Sequence, residues 1–260
     1  MSPEHKKAAS KPSDTDFRAV LRSIAHTRSS IVSVFSDFCR IVACSLAVGT
    51  REDEYFDAIK GYSKSDLNQF AKALGLLVHE MESRPFEDVL GMFYTEIHSA
   101  VTRNDRGEFY TPPAISSLMA RLAFDPEKIK TDQTPFSISD PCCGSGGIIL
   151  SCAEAIAPHV YLMRATLQDI SPVACDMAYI NTTLWGIPAE IILGDTLKLE
   201  CLDRWTNIHW HRVGEEQRRK SLKILDAIRD LTQPHAAPTE DVEPQNKPPP
   251  AGPHIQLKLF

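Results

Sequence analysis

What the chain has little of narrows the field first. Its 260 residues hold seven cysteines, an odd number, with Cys142 and Cys143 adjacent and the others scattered. That is no disulfide frame. Without a C-x-x-C pair there is no zinc-ligand spacing either, so the cysteines read as reduced small hydrophobes. His26, His79 and His98 also lack ligand spacing and read as surface or packed histidines; no metal site is expected. No apolar run approaches membrane-spanning length, and Met1-Ser2-Pro3-Glu4-His5-Lys6-Lys7 lacks the apolar stretch a secretory signal carries behind its charges. A cytoplasmic protein with no membrane contact is the expectation. Positive charge is not in excess: the formal net charge is −6, so any nucleic-acid contact has to come from a local basic patch or a partner.

What is present starts with Asp140-Pro141-Cys142-Cys143-Gly144-Ser145-Gly146-Gly147. Phe136-Ser137-Ile138-Ser139 before it suits a short strand, and Ile148 to Ile156 after it an apolar helix. Three glycines within four residues let the backbone turn at positive φ and leave the main chain bare to a ligand. The helix that follows offers unpaired N–H groups to an anion. A strand-to-helix turn without a ligand is the plainer alternative. The loop does not follow the G-x-G-x-x-G spacing of a dinucleotide site.

The rest of the chain orders itself around this stretch. Residues 1–13 are small and polar and read as a disordered terminus. Apolar residues three or four apart from Phe17 to Val42, from Tyr55 to Ile59, from Leu67 to Met81 and from Phe86 to Val101 predict a helical bundle over 14–103. Residues 104–232 read as an α/β domain. Pro112-Pro113 opens a helix to about Phe124, and a loop follows to Pro135. Beyond the glycine loop, strands are expected at Arg164–Gln168 and Glu190–Leu193, with a helix from Pro172 to Trp185 between them. Alternating strands and helices predict a doubly wound, mostly parallel sheet whose ligand edge lies at the strands' carboxyl ends. Asp140, Asp169 and Asp195 stand at three such ends.

Thirty residues upstream of the loop lies Gly107-Glu108-Phe109-Tyr110-Thr111-Pro112-Pro113. This segment followed by Asp-Pro-x-x-Gly-Ser-Gly-Gly resembles the modification subunits of type I restriction systems, and more broadly the adenine-N6 DNA methyltransferases. Phe86 to Tyr94 also reads like that family, and the likeness runs to about Leu197. The resemblance implies S-adenosylmethionine as cofactor and DNA as substrate. It implies that Asp140, Pro141 and the Gly144-Ser145-Gly146 loop take the methionine end, with Phe109, Tyr110, Thr111 and Pro112 nearby. It further implies that Asp169, followed by Ile170, accepts from the ribose hydroxyls, and that Asp195 meets the adenine amino group.

The family's Asn/Asp/Ser-Pro-Pro-Tyr/Phe tetrapeptide, which holds a flipped adenine, is absent from this sequence. In its expected place stands Asp203 to Arg212, with a fourth strand expected around Ile208–His211 and the order 3-2-1-4. Asn207 and Trp210 could imitate the acceptor and the stacking ring; alternatively Trp205 and Trp210 pack the end of a shortened sheet. Glu215 to Leu231 reads as a charged helix with Leu222, Leu225 and Ile228 on one stripe. The cluster Arg212, Arg218, Arg219, Lys220 and Lys223 could touch phosphate or form a solvated face.

Seven of the eighteen prolines fall after Leu231, so 233–260 reads as an extended, disordered tail. It ends in Gln256-Leu257-Lys258-Leu259-Phe260, where Gln256, Leu257, Leu259 and Phe260 resemble a bacterial sliding-clamp-binding motif. Two functions stay open. One is an adenine-N6 DNA methyltransferase completed by a partner subunit. The other is a catalytically inactive descendant that binds the cofactor and is tethered to the replication clamp.

Overall fold

The computed structural model describes residues 16–28, 30–101 and 111–211. Phe109 and Tyr110, the junction near residue 103, the 215–231 segment, and the tail with Gln256, Leu257, Leu259 and Phe260 lie outside the described residues.

Five helices come first: α1 (Phe17–Arg28), α2 (Ile31–Leu46), α3 (Glu52–Ile59), α4 (Lys64–Ser83) and α5 (Val89–Val101). The apolar spacing predicts four, because it runs unbroken from Phe17 to Val42. The break comes from Ser30, whose extended backbone and Oγ, accepting from Ser33 N at 3.2 Å, start a fresh helix. Ser63 and Asp66 close a reciprocal capping box on α4. Next come α6 (Pro113–Ala123) and α7 (Pro126–Asp132). The second of these replaces the expected loop: Asp125 Oδ1 accepts from Glu127 N and Lys128 N at 3.1 and 3.2 Å, and Pro126 suits a first helical turn.

The α/β part then runs β1 (Phe136–Asp140), α8 (Gly147–Ile156), a single 3-10 turn, β2 (Met163–Asp169), α9 (Pro172–Leu184), β3 (Ala189–Leu193), β4 (Asp203–Thr206) and the short α10 (Ile208–His211). The α/β class with a mostly parallel, four-stranded sheet is as expected. The strand order is not. It runs β1-β2-β3-β4, and β4 lies antiparallel on the outer edge of β3 rather than beside β1. Residues 208–211, expected as the fourth strand, form α10 instead.

The anchors of β4 explain this. Trp205 pairs with Ile191 in the ladder, meets Tyr179 of α9 at 6.0 Å between ring centroids, and carries the Arg51 guanidinium 4.0 Å above its ring. Arg51 also ion-pairs with Asp203. These contacts exist only on the β3 side.

Residues level with one another across the ladder share a face. One face carries Ile138, Met163, Ala165, Leu167, Ala189, Ile191 and Trp205, and α9 packs against β2 and β3. The other carries Ser137, Ser139, Arg164, Thr166, Gln168, Glu190, Arg204 and Thr206, with Ile192 alone apolar. Two successive parallel steps in one direction, with the right-handed crossover that such units adopt, put α8 and α9 on the same side, which accounts for one apolar and one polar face.

Helices and sheet share one apolar core. Phe17 and Phe35 meet Phe93 edge-on at 5.5 and 5.3 Å, and α2 packs on α9, joining this cluster to Leu150, Leu167 and Ile191. The same seam holds a buried acid: Asp176 lies 3.3 Å from Arg40, and burial pushes its carboxyl up to about 7 despite that neighbour.

Candidate cofactor site at the carboxyl edge

The site is built where β1, β2 and β3 end. After Asp140 the chain turns through Pro141 and Cys142, and Cys143 N donates to Gln168 O of β2 at 2.9 Å. Gly146 N closes a turn on Cys143 O at 2.8 Å, and α8 begins. Gly144 and Gly146 sit at φ 54° and 85°. At Gly146 an added Cβ would also stand 3.2 Å from Leu167 Cδ2, so the position needs glycine for both reasons.

Three acids stand at this edge, as the sequence predicts, but in different states. Asp140 is 9% exposed; its Oδ1 accepts from Cys142 N at 3.2 Å, while its buried Oδ2 has no hydrogen-bond partner. Burial, with the charge of Asp169 adding to it, raises the Asp140 carboxyl above the usual range. Asp169 accepts from Gly144 N at 2.8 Å through Oδ2 and from Ser171 N at 2.9 Å through Oδ1. It therefore fixes both the glycine loop and the start of α9, and retains lone pairs for hydroxyl donors. Ile170 beside it is 65% exposed. Asp195 accepts from Leu197 N and Lys198 N, and Lys198 Nζ lies 3.1 Å from its Oδ2. The hydrogen bond from Lys198 lowers the Asp195 carboxyl. Pro141 O accepts from Thr196 Oγ1, tying the loop after β3 to the loop after β1.

Thr111 and Pro112 also come to this edge. Pro112 caps α6, and Thr111 lines a niche of about 40 Å³ with Cys142, Gly144, Ser145, Gly147 and one residue the sequence reading passed over, Asp88. Ser145 is 1% exposed and donates its hydroxyl to Asp88 Oδ2. Asp88 Oδ1 accepts from Gly91 N at 2.9 Å and from Asn181 Nδ2 at 3.1 Å. Asn181 in turn donates to Ser145 O at 2.9 Å. The start of α5, the glycine loop and α9 are thus laced together. The available signal was Asp88-x-x-Gly91 at a helix start, which reads as an ordinary cap; Asn181 carries none.

Asn207 and Trp210 are elsewhere. Asn207 N donates to Ala189 O, placing Asn207 beside the first residue of β3. Because β4 runs antiparallel, that is the opposite edge of the sheet, about 13 Å along the strand from Leu193. Asn207 is fully buried: its Oδ1 accepts from Ala189 N and Trp210 N at 3.2 and 3.1 Å, and its Nδ2 donates to Ile187 O at 2.7 Å. Trp210 lies under the Arg164 guanidinium at 4.8 Å. Neither can hold a base at the cofactor edge, so the tryptophans pack the end of the sheet.

Comparison with known proteins agrees with the motifs. Residues 86–210 match the family model "N-6 DNA Methylase". Within that segment lie Asp88, the glycine loop and all three edge acids. Two methylase subunits of type I restriction enzymes from Methanocaldococcus jannaschii are similar to the chain. One, MjaVIII, is 33% identical over 42% of this chain, and the other, MjaIX, is 28% identical over 46%. The matches cover 18% and 20% of those proteins, so the chain spans about a fifth of these curated relatives. A solved methyltransferase subunit of a type I restriction-modification system, from Streptococcus thermophilus, aligns with 75% of this chain and 42% of its own, at 20% identity and a TM-score of 0.40. The resemblance read from the two motifs is to the adenine-N6 methyltransferases of type I restriction–modification systems, and the family model and the two methylase subunits bear it out.

Proposed function

We propose that the chain binds S-adenosylmethionine at the carboxyl edge and forms the cofactor half of an adenine-N6 DNA methyltransferase whose base-holding half comes from a partner chain. The observation that carries this is Asp140 Oδ2: a buried carboxylate oxygen without a partner beside a loop of bare glycines. Such an atom is costly unless a ligand donates to it. The residues suit this cofactor. Asp88, Asp140, Asp169 and Asp195 make the edge acidic, and the cofactor carries an ammonium and a sulfonium. Asp169 keeps acceptor capacity for two ribose hydroxyls, and exposed Ile170 offers an apolar surface for a ring. When bound, the cofactor supplies the electrophilic methyl group; the chain's part is to orient it.

Titration calorimetry tests this directly. S-adenosylmethionine should release heat with the unmutated chain and none with Asp140→Ala. No binding at millimolar ligand would overturn the reading. Methyl transfer to unmethylated DNA by the pure chain should be absent, and should appear only with a chain that supplies the base-holding tetrapeptide.

A second reading is favoured by the location of Asn207 at the wrong edge: a cofactor-binding protein that transfers nothing and is brought to DNA by its tail. Gln256, Leu257, Leu259 and Phe260 would dock on a bacterial sliding clamp. A pull-down with purified clamp, comparing the full chain with a truncation after Pro253, decides it; equal retention of both removes the tether.

A further inference from the structure

The reading above assigns the methionine end to Asp140, the glycine loop and the Thr111 segment. The structure adds an acid that none of these motifs contains. Asp88 belongs to the helical part of the chain, yet it lines the same niche as Thr111 and Gly144. It meets Ser145 of the glycine loop through Oδ2, while Oδ1 is occupied by Gly91 N and Asn181 Nδ2. A carboxylate offers about four acceptor positions, so three donors leave one, on Oδ2, the oxygen turned to the loop. The niche, at about 40 Å³, has room for a small head group and not for a nucleoside.

Close approach here is built in. A Cβ on Gly91 would overlap both Asp88 Oδ2 and Ser145 Oγ, so only glycine lets the helix start sit against the loop. A Cβ on Gly147 would stand 3.4 Å from the same oxygen. Burial raises the Asp88 carboxyl, against the opposing effect of the donors from Ser145, Gly91 and Asn181. A half-buried acid with a free acceptor position, held beside a niche of this size, favours a positively charged occupant.

Resting on the cofactor reading, we propose that Asp88 is a ligand-binding residue of the site: it receives the ammonium group of the cofactor's amino-acid end, and through Ser145 it sets the loop that orients that end. The alternative is that Asp88 is only a cap for α5. Substitution by asparagine separates these, because asparagine caps a helix as well as aspartate does and has nearly the same shape, but carries no charge.

The test is calorimetry of the full chain with two ligands, S-adenosylmethionine and 5′-methylthioadenosine, which keeps the nucleoside but lacks the amino-acid end. Asp88→Asn should weaken S-adenosylmethionine about tenfold or more, the loss of one charge-assisted hydrogen bond, and leave methylthioadenosine within about twofold. Gly91→Ala, which pushes Asp88 off the loop, should show the same selectivity. Equal weakening of both ligands by Asp88→Asn, or of neither, overturns the assignment and leaves Asp88 as a cap. Failure of both ligands to bind the unmutated chain refutes the cofactor reading itself. A melting temperature for Asp88→Asn within a few degrees of the unmutated chain certifies that the protein measured is folded.

Discussion

The two edges of the sheet are made from the same strands and differ in almost everything else. At the carboxyl edge the backbone enters the left-handed region at Gly144, Gly146 and Leu199, a buried carboxylate oxygen of Asp140 has no partner, and Ile170, Leu197 and Leu199 stand exposed. At the amino edge Asn207 spends both ends of its amide on main chain, and Trp210 is covered by Arg164. The contrast lies between these two groups and not in the backbone alone, because Gln133 and Gly186 at the amino edge also take positive φ and Trp185 Nε1 there is buried without a partner.

That contrast can be tested from its strong end. Asn207→Ala should cost about 3 kcal/mol in urea unfolding, because Ala189 N and Ile187 O lose a buried partner and Trp210 N is left with the residue's main-chain oxygen alone. Ligand affinity of the folded fraction should not change. A matching loss of affinity would erase the distinction between the edges.

Next in size is Asp176, one turn into α9 behind the carboxyl edge. Its folded-state value of about 7 lies above its ordinary value of 3.8, so between these the native state holds the extra proton. The contribution to stability is present below the ordinary value and is lost as pH rises through about 7. Urea unfolding at pH 5 and pH 8 should therefore fall by about 2 kcal/mol more in the unmutated chain than in Asp176→Asn. Parallel slopes for the two proteins would show that Asp176 is ionised throughout.

Gly146→Ala is expected to cost about 1–2 kcal/mol, from its left-handed backbone and the crowding against Leu167, and to abolish cofactor heat. This is the reverse of Asn207→Ala: a smaller loss of stability with a complete loss of binding. At the weak end, Lys198→Ala removes an exposed ion pair with Asp195 and should leave the melting temperature unchanged.

Much of this was legible in the residues. β1, α8, β2, α9 and β3 fall within a residue or two of their expected bounds, because Pro172, Trp185-Gly186 and Gly194 punctuate them and the apolar runs between are short. The three edge acids follow from the same punctuation. The position of β4 was not legible. Asp203-Arg204-Trp205-Thr206 is a four-residue strand whose place depends on Arg51, 152 residues earlier, and on Tyr179, and no local pattern encodes those pairings. The order 3-2-1-4 therefore failed at its last strand, and with it the idea that Asn207 faces the cofactor. Asp88 was missed for a related reason. Its role as a cap is visible in Asp-x-x-Gly, but its reach to Ser145, 57 residues later, is not.

The unbroken core between α2 and α9 has a thermodynamic consequence. Helices far in sequence from the glycine loop bury their side chains in the same cluster as the sheet, so the expectation is that they open to solvent together with it and not as a separate module. A molecule captured at the carboxyl edge would therefore slow hydrogen exchange at Phe35 and Phe38, residues it never touches, by the same factor as at Leu167.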